Sequence, residues 1–177
     1  MSPRIILDHQ SFQRTLKRLC YQLIENHDSF EQSVLIGLQP RGILFGKAVS
    51  DEILKLTGIV VRYGELDTTF FRDDFRLKPI VPSPTSIDFE VEKQRVVLID
   101  DVLFTGRSVR AALDAIQHFG RPANIELMVL LNRRLSRHVP IQPDYVGLTV
   151  DAIFSEKVIV NWTENGLAEV TLQNKDM

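Results

Sequence analysis

The residues best suited to chemistry lie in one stretch, Val96 to Arg110, which reads VVLIDDVLFTGRSVR. An apolar run ends in two adjacent acids, Asp100 and Asp101. The short loop Val102, Leu103, Phe104, Thr105, Gly106, Arg107 and Ser108 follows, and then a helical pattern begins. In open α/β sheets, ligands sit just beyond the carboxyl ends of the strands. A helix N-terminus placed there offers backbone N–H groups and the positive end of a dipole, which together favour an anion. Gly106 lets the backbone approach closely, and Thr105 and Ser108 add hydroxyl donors, so a phosphomonoester fits the loop. Two carboxylates beside that cradle would repel the phosphate unless they face something else. Ribose hydroxyls and a Mg2+ ion both suit carboxylate oxygens. A phosphate at one end, a diol in the middle and a metal nearby describe a phosphorylated ribose. The chain carries no Gly-Lys-Ser/Thr motif, so this is not a nucleotide P-loop.

The elements that must position this stretch alternate between strand and helix patterns. Asp8 can cap a helix whose apolar residues Phe12, Leu16, Leu19, Leu23 and Ile24 recur at helical spacing. Ser33 to Leu38 reads as a short buried strand, and a helix runs from Gly42 to a stop at Gly58. Ile59 to Phe71 is rich in β-branched and aromatic residues and is expected to be extended. Residues 72 to 92 hold three prolines and mixed charges, the composition of a lid or mobile loop. Arg95 to Asp100 fits a central parallel strand, Arg107 to Phe119 a helix, and Ile125 to Leu131 another buried strand. Tyr145 to Val150, Lys157 to Trp162 and Leu167 to Leu172 read as late strands. The alternation predicts one α/β domain over residues 1–177 with a mostly parallel central sheet flanked by helices.

Composition narrows the partners. With 44% hydrophobic and 25% charged residues the chain can fill a core, which argues against disorder. A net charge of -2 gives no global basic field for nucleic acid, leaving only a local patch for such a role. One cysteine, Cys20, allows no internal disulfide, and its helical setting makes it a core residue. His9, His27 and His118 lack metal-ligand spacing and read as surface or cap residues, while Trp162 closes the core. No signal-peptide pattern and no membrane-length apolar run is visible, so a cytoplasmic protein is expected.

The string from Val96 to Arg110 resembles the 5-phosphoribosyl-1-pyrophosphate (PRPP) signature of type I phosphoribosyltransferases. Nearly the whole chain resembles one bifunctional family, the pyrimidine-operon attenuators that are also uracil phosphoribosyltransferases. The matching pieces are IGLQPRG (Ile36 to Gly42), GELDTTFFRDD (Gly64 to Asp74), IDDVLFTGRSVRAALDAI (Ile99 to Ile116), GRPANIEL (Gly120 to Leu127), PIQPDYVG (Pro140 to Gly147) and SEKVIV (Ser155 to Val160). The resemblance implies a type I phosphoribosyltransferase fold with a flexible loop and a small hood, formed by residues 145–177 with the N-terminal segment. It implies a pyrophosphate loop at Gln39, Pro40, Arg41 and Gly42, and catalytic roles for Asp100, Asp101 and Arg72, the last on the flexible loop. Asp100 and Asp101 would serve Mg2+, and Val158 and Ile159 the base. The implied reaction makes UMP and pyrophosphate from uracil and PRPP, in a homodimer or larger oligomer that also binds an mRNA leader. The alternatives are an RNA-binding, nucleotide-sensing attenuator with little catalysis, and a purine phosphoribosyltransferase.

One segment departs from the family. Asn132 to Pro140 reads NRRLSRHVP, where the family pattern is closer to Asp-Arg-Gly-His-Arg-Glu-Leu-Pro. Asn132 stands for an acid and Arg134 for a glycine. The crowding of Arg133, Arg134, Arg137 and His138 marks a candidate phosphate-contacting patch for RNA.

Overall fold

The computed structural model describes residues 3–71, 84–153 and 155–174. Asp8 opens helix α1 (His9–His27): its carboxylate accepts from the Ser11 amide at 2.7 Å, a cap that contributes about 1 kcal/mol. Phe12, Leu16, Leu19 and Leu23 form the buried stripe. Strand β2 (Ser33–Leu38) is buried at every position and leads into α2 (Gly42–Thr57). Gly58 ends α2 in the left-handed conformation, its amide bonded to the Leu54 carbonyl. β3 (Arg62–Leu66), β4 (Arg95–Leu103) and β5 (Asn124–Arg133) follow, with α3 (Arg107–Ile116) between the last two. Five strands pair in the order β3-β2-β4-β5-β6, every pair parallel, with β6 spanning Tyr145–Val150. One face packs the apolar sides of α1 and α2, and the other packs Val109, Ala112, Ala115 and Ile116 of α3. This is the predicted α/β architecture.

A second, antiparallel sheet orders β1 (Arg4–Leu7), β8 (Ala168–Asn174) and β7 (Glu156–Trp162). It forms the hood, with one correction to the expected extent. Tyr145–Val150 belongs to the main sheet, because it pairs in parallel with β5. The N-terminal contribution is the short strand β1, whose four residues carry no periodicity legible in isolation. Trp162 does close the core: its ring meets Phe12 edge-on at 5.5 Å and Phe45 at 6.5 Å, tying the hood to α1 and α2.

Three further readings change. The extended run expected to Phe71 stops at Leu66, and Thr69–Phe71 forms a 3-10 turn held by Asp67, which accepts from the amide and hydroxyl of Thr69. The first part of the loop expected over 72–92, Arg72 included, lies outside the described residues. Its second part is anchored: Ser86 exchanges both backbone hydrogen bonds with Glu65, and Val91 is buried. His27 is neither surface nor cap. It is buried between Ser33 and Glu126, at 2.8 and 3.0 Å. Glu126 also accepts from Tyr145 at 2.6 Å and Arg95 at 3.0 Å, so this network joins α1, β2, β4, β5 and β6 at the amino ends of the strands.

Candidate active site

The strand order switches direction between β2 and β4. The chain leaves β2 through α2 toward β3 on one side, and leaves β4 through α3 toward β5 on the other. Such a switch point opens a crevice at the carboxyl ends of the strands. Pairing between the two strands ends at Gly37 and Ile99, and a cavity of about 430 Å³ lies beyond. Its wall takes Leu38, Gln39, Pro40 and Arg41 from the turn after β2, Asp100, Asp101 and Val102 from β4, and Phe104 and Ser108 from the next turn. Arg133 at the end of β5 and Lys157 and Val158 of β7 complete it. A second cavity, about 310 Å³, surrounds the turn itself and is lined by Asp100 and residues 102–109. Asp100, Val102, Phe104 and Ser108 line both.

The turn into α3 has the form the sequence implies. Gly106 sits left-handed (φ 86°) as the cap residue and has no side-chain acceptor, while the Thr105 hydroxyl accepts from the Arg107 amide at 3.4 Å. Gly106 has a second reason to be glycine: a β-carbon there would meet the Val139 side chain at 2.7 Å. The turn Gln39–Gly42 contains a cis Gln39–Pro40 peptide bond and leads into α2. Gly42 is buried against β4, where a β-carbon would stand 2.5 Å from the Ile99 carbonyl oxygen and 3.2 Å from Asp100 Oδ1. Glycine thus brings this turn against the acids. Gln39 also donates to the Pro84 carbonyl at 2.9 Å.

The paired acids sit differently from the expectation. β4 runs on to Leu103, paired with β5 through Leu103↔Asn132, so both acids lie within a strand. Successive strand side chains point to opposite faces, yet at this strand end both acids line the one cavity. Asp100 is half-buried and accepts the Asp101 amide at 2.9 Å. Asp101 is only 4% exposed, and among the described residues its Oδ2 has no hydrogen-bond partner. Burial pushes the Asp101 carboxyl above its ordinary range, against the opposing pull of Arg41. An orphaned, buried carboxylate oxygen beside a cavity fits a ligand that brings a donor or a cation. Among the described residues, no three His, Cys, Asp or Glu side chains converge on one point. A divalent ion here would therefore take one or two carboxylates and complete its shell with water and substrate oxygens, as Mg2+ commonly does.

Of the two residues expected at the base, Val158 lines the cavity and Ile159 does not. Lys157 and Arg133 are the additions that sequence reasoning missed. The sequence places Arg133 in a phosphate-contacting basic patch, whereas the structure buries it. It is 4% exposed, its guanidinium carbon lies 4.1 Å from the Phe104 ring centroid, and burial pulls its pKa down. Arg137 also turns inward, donating to the Phe104 carbonyl and to Asn132 Oδ1. Arg134 alone of the three presents an exposed guanidinium, in a two-bond ion pair with Asp151. The register of β5 explains this: its last residues still pair with β6 through Arg133↔Val150, which turns Arg133 inward.

This fold and this site define a phosphoribosyltransferase, and the chain belongs to that family: the phosphoribosyl transferase domain matches residues 4–163. Within it the chain belongs with the proteins named bifunctional protein PyrR. It is 39% identical over 177 residues to that of Halalkalibacterium halodurans, covering 97% of this chain and 98% of the relative. It is 37% identical to the pyrimidine operon regulatory protein of Lactococcus lactis subsp. cremoris, over 99% of this chain and 100% of the relative. Solved structures share the fold. A hypoxanthine phosphoribosyltransferase from Staphylococcus aureus superposes with a TM-score of 0.68 at 18% identity, over 85% of this chain and 80% of that one. The Trypanosoma cruzi enzyme in complex with IMP gives 0.68 at 17% identity, over 88% of this chain and 78% of that one. No helix among the described residues is long and apolar enough to cross a membrane.

Proposed function

We propose that this chain transfers the phosphoribosyl group of PRPP to uracil, forming UMP and pyrophosphate, and that it also regulates pyrimidine genes through an mRNA leader. The observation that carries the reading is one cavity whose wall combines the Gln39–Arg41 turn, the paired acids and the hood strand β7. In the proposed reaction, N1 of uracil forms a bond to the anomeric carbon as the bond from that carbon to the pyrophosphate oxygen breaks. The N1 proton leaves to the diphosphate or to water.

No residue of the chain needs to act as a nucleophile. Positioning and electrostatics supply the acceleration. Residues 104–108 hold the 5′-phosphate at the start of α3, and the 39–42 turn with Arg41 holds the diphosphate. Asp100 and Asp101 take the ribose hydroxyls and would hold Mg2+, which neutralises charge on the diphosphate when bound. Their negative charge also favours the positive charge that develops on the sugar. Val158 covers the face of the base, while backbone of β7 reads its edge. The proposed part of Arg72, cationic help to the leaving group, rests on the resemblance alone.

The regulatory reading draws on the relatives' printed names. With Arg133 and Arg137 turned inward, its basic contact passes to the exposed Arg134. A nucleotide enzyme and a transcript regulator both work where metabolites and mRNA are, so a cytoplasmic setting accompanies the proposal. Offering uracil, hypoxanthine, guanine and adenine separately with Mg2+-PRPP tests it. Pyrophosphate release with uracil alone is the expected result, and release with purines alone would overturn the assignment of the hood.

A further inference from the structure

We propose that Arg133 is a positioning residue that couples the phosphate-binding turn to the base-reading strand. The inference rests on the phosphoribosyltransferase reading of the site and goes beyond it. Three observations carry it. The Arg133 guanidinium packs over the ring of Phe104, one of the four residues that line both cavities. The same guanidinium donates through Nη2 to the carbonyls of Ile153 and Glu156, at 3.1 and 3.2 Å. Those carbonyls belong to the turn that delivers Lys157 and Val158 to the cavity, and this turn is closed by its own bonds between Ile153 and Glu156. One planar cation thus touches the loop that holds the phosphate and the loop that launches β7.

The neighbours reinforce the link. Arg137 fixes the Phe104 carbonyl, so Phe104 is held by its ring and its backbone at once. Arg134 grips Asp151, two residues before the turn that Arg133 holds. Three arginines of one segment therefore staple the two ligand-facing loops together. The chemistry asks for arginine at 133: its flat face stacks on an aromatic ring while its N–H edge donates, and a lysine ammonium cannot do both. Breaking the staple leaves the phosphate cradle intact, because that cradle is made by backbone at the start of α3. It loosens the angle at which β7 meets the base.

The consequence is a split between ligands. PRPP uses the cradle and the pyrophosphate turn, whereas a nucleoside monophosphate must span from the cradle to β7. Titration calorimetry with Mg2+-PRPP and with UMP, on the wild type, Arg133→Lys, Phe104→Leu and the double variant, reads the split. The expected result in Arg133→Lys is about a tenfold loss of UMP affinity, with Mg2+-PRPP affinity changed by no more than about threefold; Phe104→Leu, at a residue of the phosphate loop itself, should weaken UMP more than Mg2+-PRPP. The double variant should lose about as much as either single one, because both remove the same link. Equal losses for the two ligands, no loss for UMP, or additive losses would overturn the proposal. If Arg133→Lys does not fold, the UMP-to-PRPP ratio in Phe104→Leu decides alone. IMP and GMP are titrated alongside. A wild type that binds one of these in place of UMP refutes the uracil reading, and the staple is then judged by the same ratio on that nucleotide. A wild type that binds no nucleotide refutes the staple.

Discussion

Asp101 shows how a residue can be unfavourable for stability and yet suit the binding role proposed for it. A nearly buried carboxylate with an oxygen lacking a partner among the described residues costs folding free energy, since that oxygen's lost water is not replaced there. Arg41 relieves only part of that cost. Asparagine has the same shape without the charge. Asp101→Asn is therefore expected to leave the melting temperature unchanged or raised while lowering kcat/KM for PRPP at least about tenfold. Calorimetry with Mg2+-PRPP and steady-state rates check this, and unchanged affinity together with unchanged turnover would contradict the role. The acids and the Thr105–Ser108 turn are legible in the sequence because strand, acids, small residues and helix follow without a gap. Arg133 is not legible as a site residue: its partners, Phe104, Ile153 and Glu156, lie about 20–30 positions away along the chain, and only the pairing of β5 with β6 turns it inward.

At the scale of elements, helix α1 and strand β2 are legible because apolar periodicity and end signals agree. Asp8 caps α1, and β2 is apolar except at Ser33 and Gly37. The end of β4 is not legible, since Asp100 and Asp101 look like a boundary while the hydrogen bonds to β5 carry the strand three residues past Asp100. The hood is legible only as separate strands. Its sheet depends on β1 pairing with β8 across almost the whole chain, a contact that no local pattern encodes. Phe12 is the pivot between the hood and the helices, fully buried and edge-on to Trp162. Phe12→Ala is expected to cost about 3–5 kcal/mol in urea unfolding. It should also change the fluorescence of Trp162, the single tryptophan. A cost well under that range, with unchanged emission, would show that the hood does not rest on this contact.

The whole molecule places its chemistry at the carboxyl ends of the parallel strands and a buried polar network at the amino ends. That network ties stability to pH. Burial alone would raise Glu126, but the hydrogen bonds from Tyr145 and Arg95 and the neighbouring His27 hold it below its ordinary 4.5. Its stabilisation is present above the unfolded value and is lost as pH falls through the folded one. Burial holds His27 below 6.5, so the unfolded chain takes up that proton first and stability declines from there downward. On the alkaline side, burial and Glu126 push Tyr145 up to about 12, so the unfolded chain ionises first above 10.0 and stability declines again. Thermal melts across pH should show a plateau bounded by these two limbs. Glu126→Gln should lower the plateau and flatten the slope below 4.5. An unaltered acid limb in that variant would refute the assignment.

The cavity between β2, β4 and β7 is proposed to bring PRPP and uracil together. Its most direct test is Mg2+-dependent pyrophosphate release from PRPP, with uracil, hypoxanthine, guanine and adenine offered one at a time. Release with uracil, and none above background with the purines, is the expected result. Release with a purine and not with uracil, or silence with every base in a protein that still binds PRPP, would contradict it.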